Sequence, residues 1–219
     1  KNKKKFPNKE NLYPGFYIKD IASKIISENN DIVIDDIEKN FKFLKAESLK
    51  ASMLLIKRDL SQLGITHDNF FSETTLVNDD LVTKAVNKLK IKNFVEEGYL
   101  QPPKGESNND WKKTKKLIFK STLFGDDTDR ALQKDDGSWT YFANDLGYHM
   151  DKVERKFERL INVLGADHTG YIKRLKAAVG ALSENKVKLD CKVCQLVKLF
   201  KNGEPFKMSK RSGEFISAQ

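Results

Sequence analysis

The chain has 219 residues, with 40 lysines and arginines against 31 aspartates and glutamates, so its formal net charge is +9. A hydrophobic content of 39% is typical of a globular protein of one or two domains. No run approaches the roughly 18 apolar residues of a membrane span, and the basic start leads into Phe6-Pro7-Asn8 rather than an apolar signal core. We therefore exclude membrane and secretory proteins, and two cysteines favour the reducing cytoplasm.

The first third of the chain is predicted to be helical. Apolar residues between positions 18 and 26 recur at the spacing of one buried helix face. A second amphipathic helix is predicted from about Asp36 to Leu63, and Gly64 stands where a C-terminal cap belongs. A third helix is expected after Asp80, with the acidic residues before it as its N-terminal cap.

Residues 101–110 are rich in Pro, Gly, Ser and Asn, so they read as an exposed loop and a domain boundary. Beyond them, short apolar runs such as 117–119 alternate with turns and helical stretches, which indicates an α/β layer. Residues 160–164 are predicted to form a buried strand that Gly165 ends, followed by a helix over 171–182. Strand, turn and helix in this order are typical of a nucleotide-binding unit.

A second strand is predicted within residues 187–200, followed by a hairpin-like turn over 201–205. After that turn comes the most specific local motif of the chain, Lys-Met-Ser-Lys-Arg at 207–211. Two ammonium groups three residues apart can stabilise the negative charge that builds on a triphosphate as pyrophosphate leaves. Gly213 gives their loop the flexibility that this requires. The alternative is an ordinary solvated basic loop.

Four blocks of the chain together resemble the catalytic domain of the arginyl-tRNA synthetases, which are class I aminoacyl-tRNA synthetases. The blocks are FGDDTDR at 124–130, DGSWTYFAND at 136–145, GADHTGY at 165–171 and KMSKR at 207–211. YPGFYIKD at 13–20 extends the likeness almost to the start. Arg211 replaces the final serine of the family's second signature and leaves both lysines intact.

The resemblance has one large departure. Class I synthetases pair the lysine loop with a His-x-Gly-His motif, and none of the three histidines, His67, His149 and His168, starts one. The chain begins without methionine and stops at Ser217-Ala218-Gln219. We therefore expect an internal fragment of the catalytic region that is inactive by itself.

The resemblance implies a fold and an activity. Residues 111–219 would be the second half of a Rossmann-type α/β catalytic domain carrying the lysine loop, and residues 1–110 a helical connective segment. The whole enzyme would be an arginine–tRNA ligase, which uses ATP with Mg²⁺ to convert L-arginine to arginyl-adenylate and then transfers it to tRNA-Arg. Such enzymes commonly need bound tRNA for the first step. A monomer is favoured, and the rival interpretation is a non-catalytic basic RNA-binding module.

The resemblance also assigns roles to residues. Tyr141 and Asp145, four apart on one helix face, would bind arginine, whose charged guanidinium needs a carboxylate partner. The arginine substrate's own carboxylate is the nucleophile, so no general base is required. The remaining expected residues are His168 for arginine, Gly165, Asp167, Met208 and Ser209 for ATP, and Lys207 and Lys210 for catalysis.

Local alternatives exist for several of these residues. Asp145 could be an ordinary acid near a helix start, Tyr141 a core aromatic and Asp167 a helix cap. Cys191 and Cys194 lack a second ligand pair, so a metal site is not expected. The adjacent acids at 126 and 127 read as a solvated turn.

Overall fold

The structure, a computed structural model, describes residues 15–29, 38–100, 114–206 and 208. The chain divides into two compact units, one of Lys1–Phe70 with Lys198–Gln219 and one of Phe71–Val197. Over the described ranges, no helix has both the length and the apolar character that crossing a membrane requires.

Helices and strands are mixed along the described chain. In order they are α1 (Phe16–Glu28), α2 (Phe41–Gln62), α3 (Glu73–Asn78), α4 (Leu81–Ile91), β1 (Val95–Gly98), β2 (Lys116–Phe119), β3 (Arg130–Ala131), α5 (Tyr141–Glu154), β4 (Arg159–Gly165), α6 (Ile172–Ser183), β5 (Lys188–Cys194), β6 (Leu199–Lys201) and β7 (Glu204–Phe206). Short 3-10 helices cover Ser121–Phe124 and Ala166–Tyr171. The mixed helix and strand class is as predicted.

The unit that contains α1 and α2 confirms both predicted helices. Gly64 has φ +73°, the left-handed conformation of a glycine just beyond a helix end. The expected start of the second helix near Asp36 lies outside the described residues. The buried face was expected for α1 and is only partly right, because Ile25 is buried but Ile18 and Ile26 are exposed. In α2, which was predicted as amphipathic and is fully described, no residue is buried. Leu49 and Leu54, for example, are exposed.

The hairpin of β6 and β7 confirms the predicted turn. The two strands pair antiparallel, and Asn202 and Gly203 between them have φ +54° and +84°. The single strand expected within 187–200 is instead two, since β5 ends at Cys194 and β6 begins at Leu199.

The main core of the unit Phe71–Val197 lies between α4, α5, α6 and β2. Its fully buried side chains include Leu89, Phe119, Leu146 and Leu182. α4 and α5 approach closely where α5 carries Gly147, because a Cβ there would lie 3.1 Å from the backbone nitrogen of Val82. This close contact fixes the helix that carries most of the candidate site.

The strands of this unit form two small sheets. β1, β2 and β3 are antiparallel, whereas β4 and β5 are parallel and joined through α6. A second apolar cluster, Leu160, Leu175, Val179 and Leu189, packs α6 onto the parallel pair. The described sheets show an α/β arrangement but not clearly a Rossmann half.

The predicted strand at 160–164 is confirmed, but its expected burial is only half right. Leu160 is buried, while Ile161 and Val163 are 56% and 68% exposed. Successive side chains of a strand point to opposite faces, and α6 covers only one face of β4. The other face is open among the described residues.

Before α4, one local expectation fails and one helix was missed, and the predicted domain boundary is not tested. Asp80 precedes α4 with φ +52° and makes no side-chain cap. The short helix α3 was not predicted. Residues Phe71–Val197 form one unit on both sides of residue 110, and the loop at 101–110 lies outside the described residues. The division at 110/111 stays a prediction.

Candidate functional site

The start of α5 is anchored to the small antiparallel sheet. The Thr140 hydroxyl accepts a hydrogen bond from the backbone N–H of Ala143 at 3.2 Å, which satisfies one free donor of the first turn. The same hydroxyl donates to the carbonyl of Ala131 at the end of β3, at 3.1 Å. The direction of α5, and therefore of its exposed face, is set at this point.

One face of α5 forms a wall of a cavity of about 660 Å³ at the carboxyl end of β4. Residues 141, 144, 145 and 148 have the helical spacing that places them side by side. The opposite walls come from α3, from the end of β4 and from the start of α6. The lining residues are Phe71, Glu73, Leu76, Tyr141, Asn144, Asp145, Tyr148, Leu164, His168, Tyr171 and Leu175.

Asp145 supplies a partly buried carboxylate in this cavity. Burial raises its pKa, and the negative charge of Glu73 acts in the same direction. A hydrogen bond from Tyr171 and the positive charges of Lys152 and Arg174 act against this and lower the pKa. The cavity therefore has two acids, and two cations near Asp145 lie just outside the lining.

A buried polar cluster supports α5 from below the cavity. The Nδ1 atom of His149 lies 2.8 Å from the carbonyl oxygen of Asp145, and its Nε2 lies 3.0 Å from Nδ2 of Asn162 on β4. Lys152 donates to Oδ1 of Asn162 at 3.0 Å. Because the Asn162 amide group donates to Nε2, the ring proton is on Nδ1, which donates to the carbonyl. Burial lowers the His149 pKa to about 4, so the ring is neutral.

The turn after β4 carries the other predicted residues of this region. Asp167 and His168 are both exposed in the 3-10 helix, with His168 Nε2 3.5 Å from Asp167 Oδ2. Neither this turn nor α6, both fully described, has a side-chain cap at its start. The alternative role of Asp167 as a helix cap is therefore wrong.

The interpretation of the adjacent acids at 126 and 127 as a solvated turn is wrong for Asp126, whereas Asp127 is exposed and pairs with Lys173. The Asp126 side chain is 1% exposed and binds Arg130 through two contacts of 2.7 Å. Burial opposes its charge, but hydrogen bonds from Arg130, the Asp127 N–H and Ser121 hold its pKa below the usual range. This ion pair closes the turn between the first 3-10 helix and β3.

The two cysteines both lie on β5 as free thiols, Cys191 half-buried and Cys194 exposed. Within the part of the chain that the structure describes, no group of three His, Cys, Asp or Glu residues could hold a metal ion.

Comparison with known proteins shows which proteins this chain is similar to. No protein-family model matches the chain. The chain is 53% identical over 216 residues to an arginine–tRNA ligase of Pelagibacter ubique, and 46% identical over 209 residues to those of Parvibaculum lavamentivorans and Ruegeria pomeroyi. The resemblance to arginyl-tRNA synthetases is confirmed.

The solved structures agree with the sequence relatives. A crystal structure assigned to an arginyl-tRNA synthetase of Campylobacter jejuni matches 94% of this chain with a TM-score of 0.68 and 31% identity. The matches cover 94–98% of this chain but only 36–37% of those three ligases and 41% of the solved chain. The chain thus spans little more than a third of the length of the curated relatives.

The structure brings together three of the residues that the arginyl-tRNA synthetase resemblance marks, since Tyr141, Asp145 and His168 line the cavity. Tyr141 is 80% exposed, so it is not a core aromatic. Gly165 and Asp167 follow directly at the end of β4. Lys207, Ser209 and Lys210 lie outside the described residues, and Met208, 49% exposed, belongs to the other unit. The functional roles of all these residues stay predictions.

Sequence analysis named only Tyr141, Asp145 and His168 among the eleven lining residues, and Tyr171 and Glu73 are two of those it missed. Tyr171 is the last residue of the block at 165–171, so the resemblance contained a signal for it. Glu73 had no comparable signal, because α3 places it beside α5 from a distant part of the chain. His149, beneath the cavity, read only as a lone histidine.

Proposed function

We propose that this chain supplies the arginine pocket of an arginine–tRNA ligase. The observation that carries the proposal is the Asp145 carboxylate, partly buried in an aromatic-walled cavity at the carboxyl end of β4. Open α/β sheets bind ligands at that end of their strands. The high identity to arginine–tRNA ligases over almost the whole chain supports the same conclusion.

The chemistry of the cavity suits a guanidinium. That group is always charged at physiological pH, and its planar fork is best met by a carboxylate that accepts two hydrogen bonds. Asp145 provides this acceptor, and Glu73 adds a second negative charge on the facing helix. Tyr141, Tyr148 and Leu164 supply the apolar surface against which the methylene groups of arginine pack.

ATP is proposed to bind beyond the end of β4. The parallel pair β4 and β5 with α6 between them supports the interpretation that this part is half of a Rossmann-type domain. Gly165 lets the backbone approach the nucleotide, Asp167 meets the ribose, and His168 lies between the nucleotide and arginine. Mg²⁺ would accompany ATP, because this ion is usually held by substrate phosphates and water rather than by a protein cage.

The reaction needs no protein base. The arginine carboxylate attacks the α-phosphorus of ATP, the bond to the β-phosphate oxygen breaks, and pyrophosphate leaves with the charge. Lys207 and Lys210 stabilise that developing charge, and Met208 and Ser209 of the same loop help to bind ATP. In the second step the terminal ribose hydroxyl of tRNA-Arg attacks the activated carbonyl carbon, and AMP leaves.

The proposed protein works on tRNA-Arg in the cytoplasm as a monomer, and its net charge of +9 suits an RNA partner. The rival is a non-catalytic basic RNA-binding module. The cavity favours the ligase, because an RNA module has no use for a partly buried acid among aromatic side chains.

The proposal is tested by pyrophosphate exchange and aminoacylation with the complete protein, ATP, Mg²⁺ and tRNA. Arginine should support both reactions, whereas citrulline, which replaces the guanidinium by a neutral group of similar shape, should support neither. Lysine, as a substrate with a positive charge but no planar guanidinium, should also support neither reaction. Binding of tRNA with no exchange for any amino acid would instead support the RNA-binding module.

A further inference from the structure

A chain of three hydrogen bonds joins the helix α5 to the strand β4 beneath the cavity. Lys152 on α5 donates to Oδ1 of Asn162 on β4 at 3.0 Å. Nδ2 of Asn162 lies 3.0 Å from Nε2 of His149, and Nδ1 of that ring lies 2.8 Å from the carbonyl oxygen of Asp145. The hydrogen bonds that connect α5 with β4, two fully described elements, therefore meet at the side chain of Asn162.

The direction of each bond in this chain follows from the groups involved. An ammonium group can only donate, so the Asn162 oxygen faces Lys152 and the amide N–H faces His149. Nε2 of His149 then accepts, which leaves the ring proton on Nδ1, where it is donated to the Asp145 carbonyl. Asn162 and His149 are only 8% and 3% exposed, so water does not compete for these bonds. The Asn162 amide therefore has one defined orientation.

Asn162 lies between the two parts of the proposed active site. Towards α5, the chain of bonds ends on the backbone of Asp145, the proposed partner of the arginine guanidinium. Along β4, Gly165 follows three residues later, about 10 Å away at the rise of an extended strand, and the nucleotide is proposed to bind there. The position of α5 relative to β4 thus sets the position of arginine relative to ATP.

We propose that Asn162 is a positioning residue that aligns the arginine carboxylate with the α-phosphate of ATP by holding α5 against β4. The inference rests on the arginine and ATP sites proposed above and adds the residue that joins them. Asn162 does not line the cavity, so it acts through His149 and Lys152. The alignment matters because the reacting atoms must come within roughly 3–3.5 Å, and a displacement of about 1 Å lowers the rate on the order of 10²-fold.

The test is steady-state pyrophosphate exchange by the complete protein with tRNA, with kcat expressed per folded active site. Asn162→Ala removes both bonds between β4 and α5 and should lower kcat about 10- to 100-fold. The KM values for arginine and ATP should change less than about 3-fold, because each ligand keeps its own binding residues. Only the relative position of the two ligands is lost.

Two variants of His149 break the bridge to different extents and remain informative if Asn162→Ala does not fold. His149→Leu removes the acceptor that the Asn162 amide requires, so kcat should fall in the same direction as in Asn162→Ala. His149→Gln offers an oxygen that can accept from Asn162, so it should keep more of the wild-type kcat than His149→Leu. Both replace a neutral ring by a neutral side chain, so the charge near the pocket does not change.

Ser183→Ala is the control for a purely structural role. The Ser183 side chain is also buried, and its hydroxyl donates to the Val179 carbonyl at 2.7 Å and accepts from the Val187 N–H at 3.2 Å. It does not line the cavity, and it bonds to neither α5 nor β4. Ser183→Ala should therefore lower the thermal unfolding temperature without changing kcat.

The outcomes separate this inference from the proposed function. An unchanged kcat in Asn162→Ala or His149→Leu, an equal fall in Ser183→Ala, or an equal fall in His149→Gln and His149→Leu overturns the positioning role. A raised KM for either ligand with an unchanged kcat also overturns it. If the wild-type protein supports no arginine-dependent exchange, the proposed function itself fails. If wild type and all variants exchange equally, only this inference fails.

Discussion

His149 gives the sharpest prediction about stability, because it is a buried histidine whose neutral form the fold requires. Its pKa falls from 6.5 to about 4, chiefly through burial and with a contribution from nearby Lys152. Between these values the unfolded chain binds a proton that the folded chain does not. The contribution of His149 to the free energy of unfolding is therefore fully present above pH 6.5 and is lost as the pH falls towards 4.

The size of the effect follows from the same two values. At about 1.4 kcal/mol per pH unit, the interval from 6.5 to about 4 corresponds to ~3 kcal/mol of unfolding free energy. His149→Gln removes the titration but keeps an oxygen that can accept from Asn162. At pH 8 we expect this variant to be about 1–3 kcal/mol less stable than wild type, from lost packing and an imperfect hydrogen bond. Towards pH 4 that difference should shrink and then reverse.

The measurement is hydrogen exchange of the α5 amides in the complete protein between pH 4 and pH 8, corrected for intrinsic exchange rates. Titration of Asp145 occurs in both proteins and largely cancels in the difference. His67→Gln, which removes an exposed imidazole, is the control and should follow wild type. A constant difference between wild type and His149→Gln across the whole range would refute the assignment of a neutral, buried ring.

Three further predictions concern the pocket, the lysine loop and the core. Asp145→Asn should lower arginine affinity by roughly 3–5 kcal/mol, the cost of leaving a buried guanidinium without its partner, with little change in ATP affinity. An equal loss of affinity for arginine and ATP, measured by calorimetry, would contradict this role. Lys210→Ala should slow adenylate formation about 10²- to 10³-fold while arginine binding stays unchanged; stopped-flow kinetics that showed only a raised KM for arginine would oppose this. Gly147→Ala should destabilise the protein by about 1–3 kcal/mol, because its Cβ would press on the Val82 backbone 3.1 Å away. Gly170→Ala is its control in thermal unfolding, since a Cβ there meets nothing within 4 Å.

Local sequence signals predicted the elements that depend on nearby residues. The spacing of apolar residues located α1, α2, α4 and α6, because helix periodicity is written in short stretches of chain. Gly64 and the turn at Asn202 and Gly203 were correct for the same reason, since positive φ angles select glycine and asparagine. The four motif blocks also predicted the resemblance to arginyl-tRNA synthetases, which the relatives confirm.

Burial and pairing were not decided locally. Apolar residues such as Leu49 and Leu54 of α2, and those on the outer face of β4, looked like core but are exposed, because burial depends on which surface another element covers. The acid at position 126 looked solvated, but it lies buried against Arg130. A residue's environment is set by partners that the residue's own neighbours in sequence do not reveal.

The sequence by itself determined the resemblance to arginyl-tRNA synthetases, most of the helices and the helix face that carries Tyr141 and Asp145, because all three depend on short-range patterns. Only the tertiary structure decided what surrounds Asp145. It brought Glu73 from α3, Tyr171 and Arg174 from the start of α6, and His149 with Asn162 beneath the helix. These groups are distant in sequence, and electrostatic interactions depend on separation in space and on burial. The charge state of the acid is therefore a property of the folded arrangement.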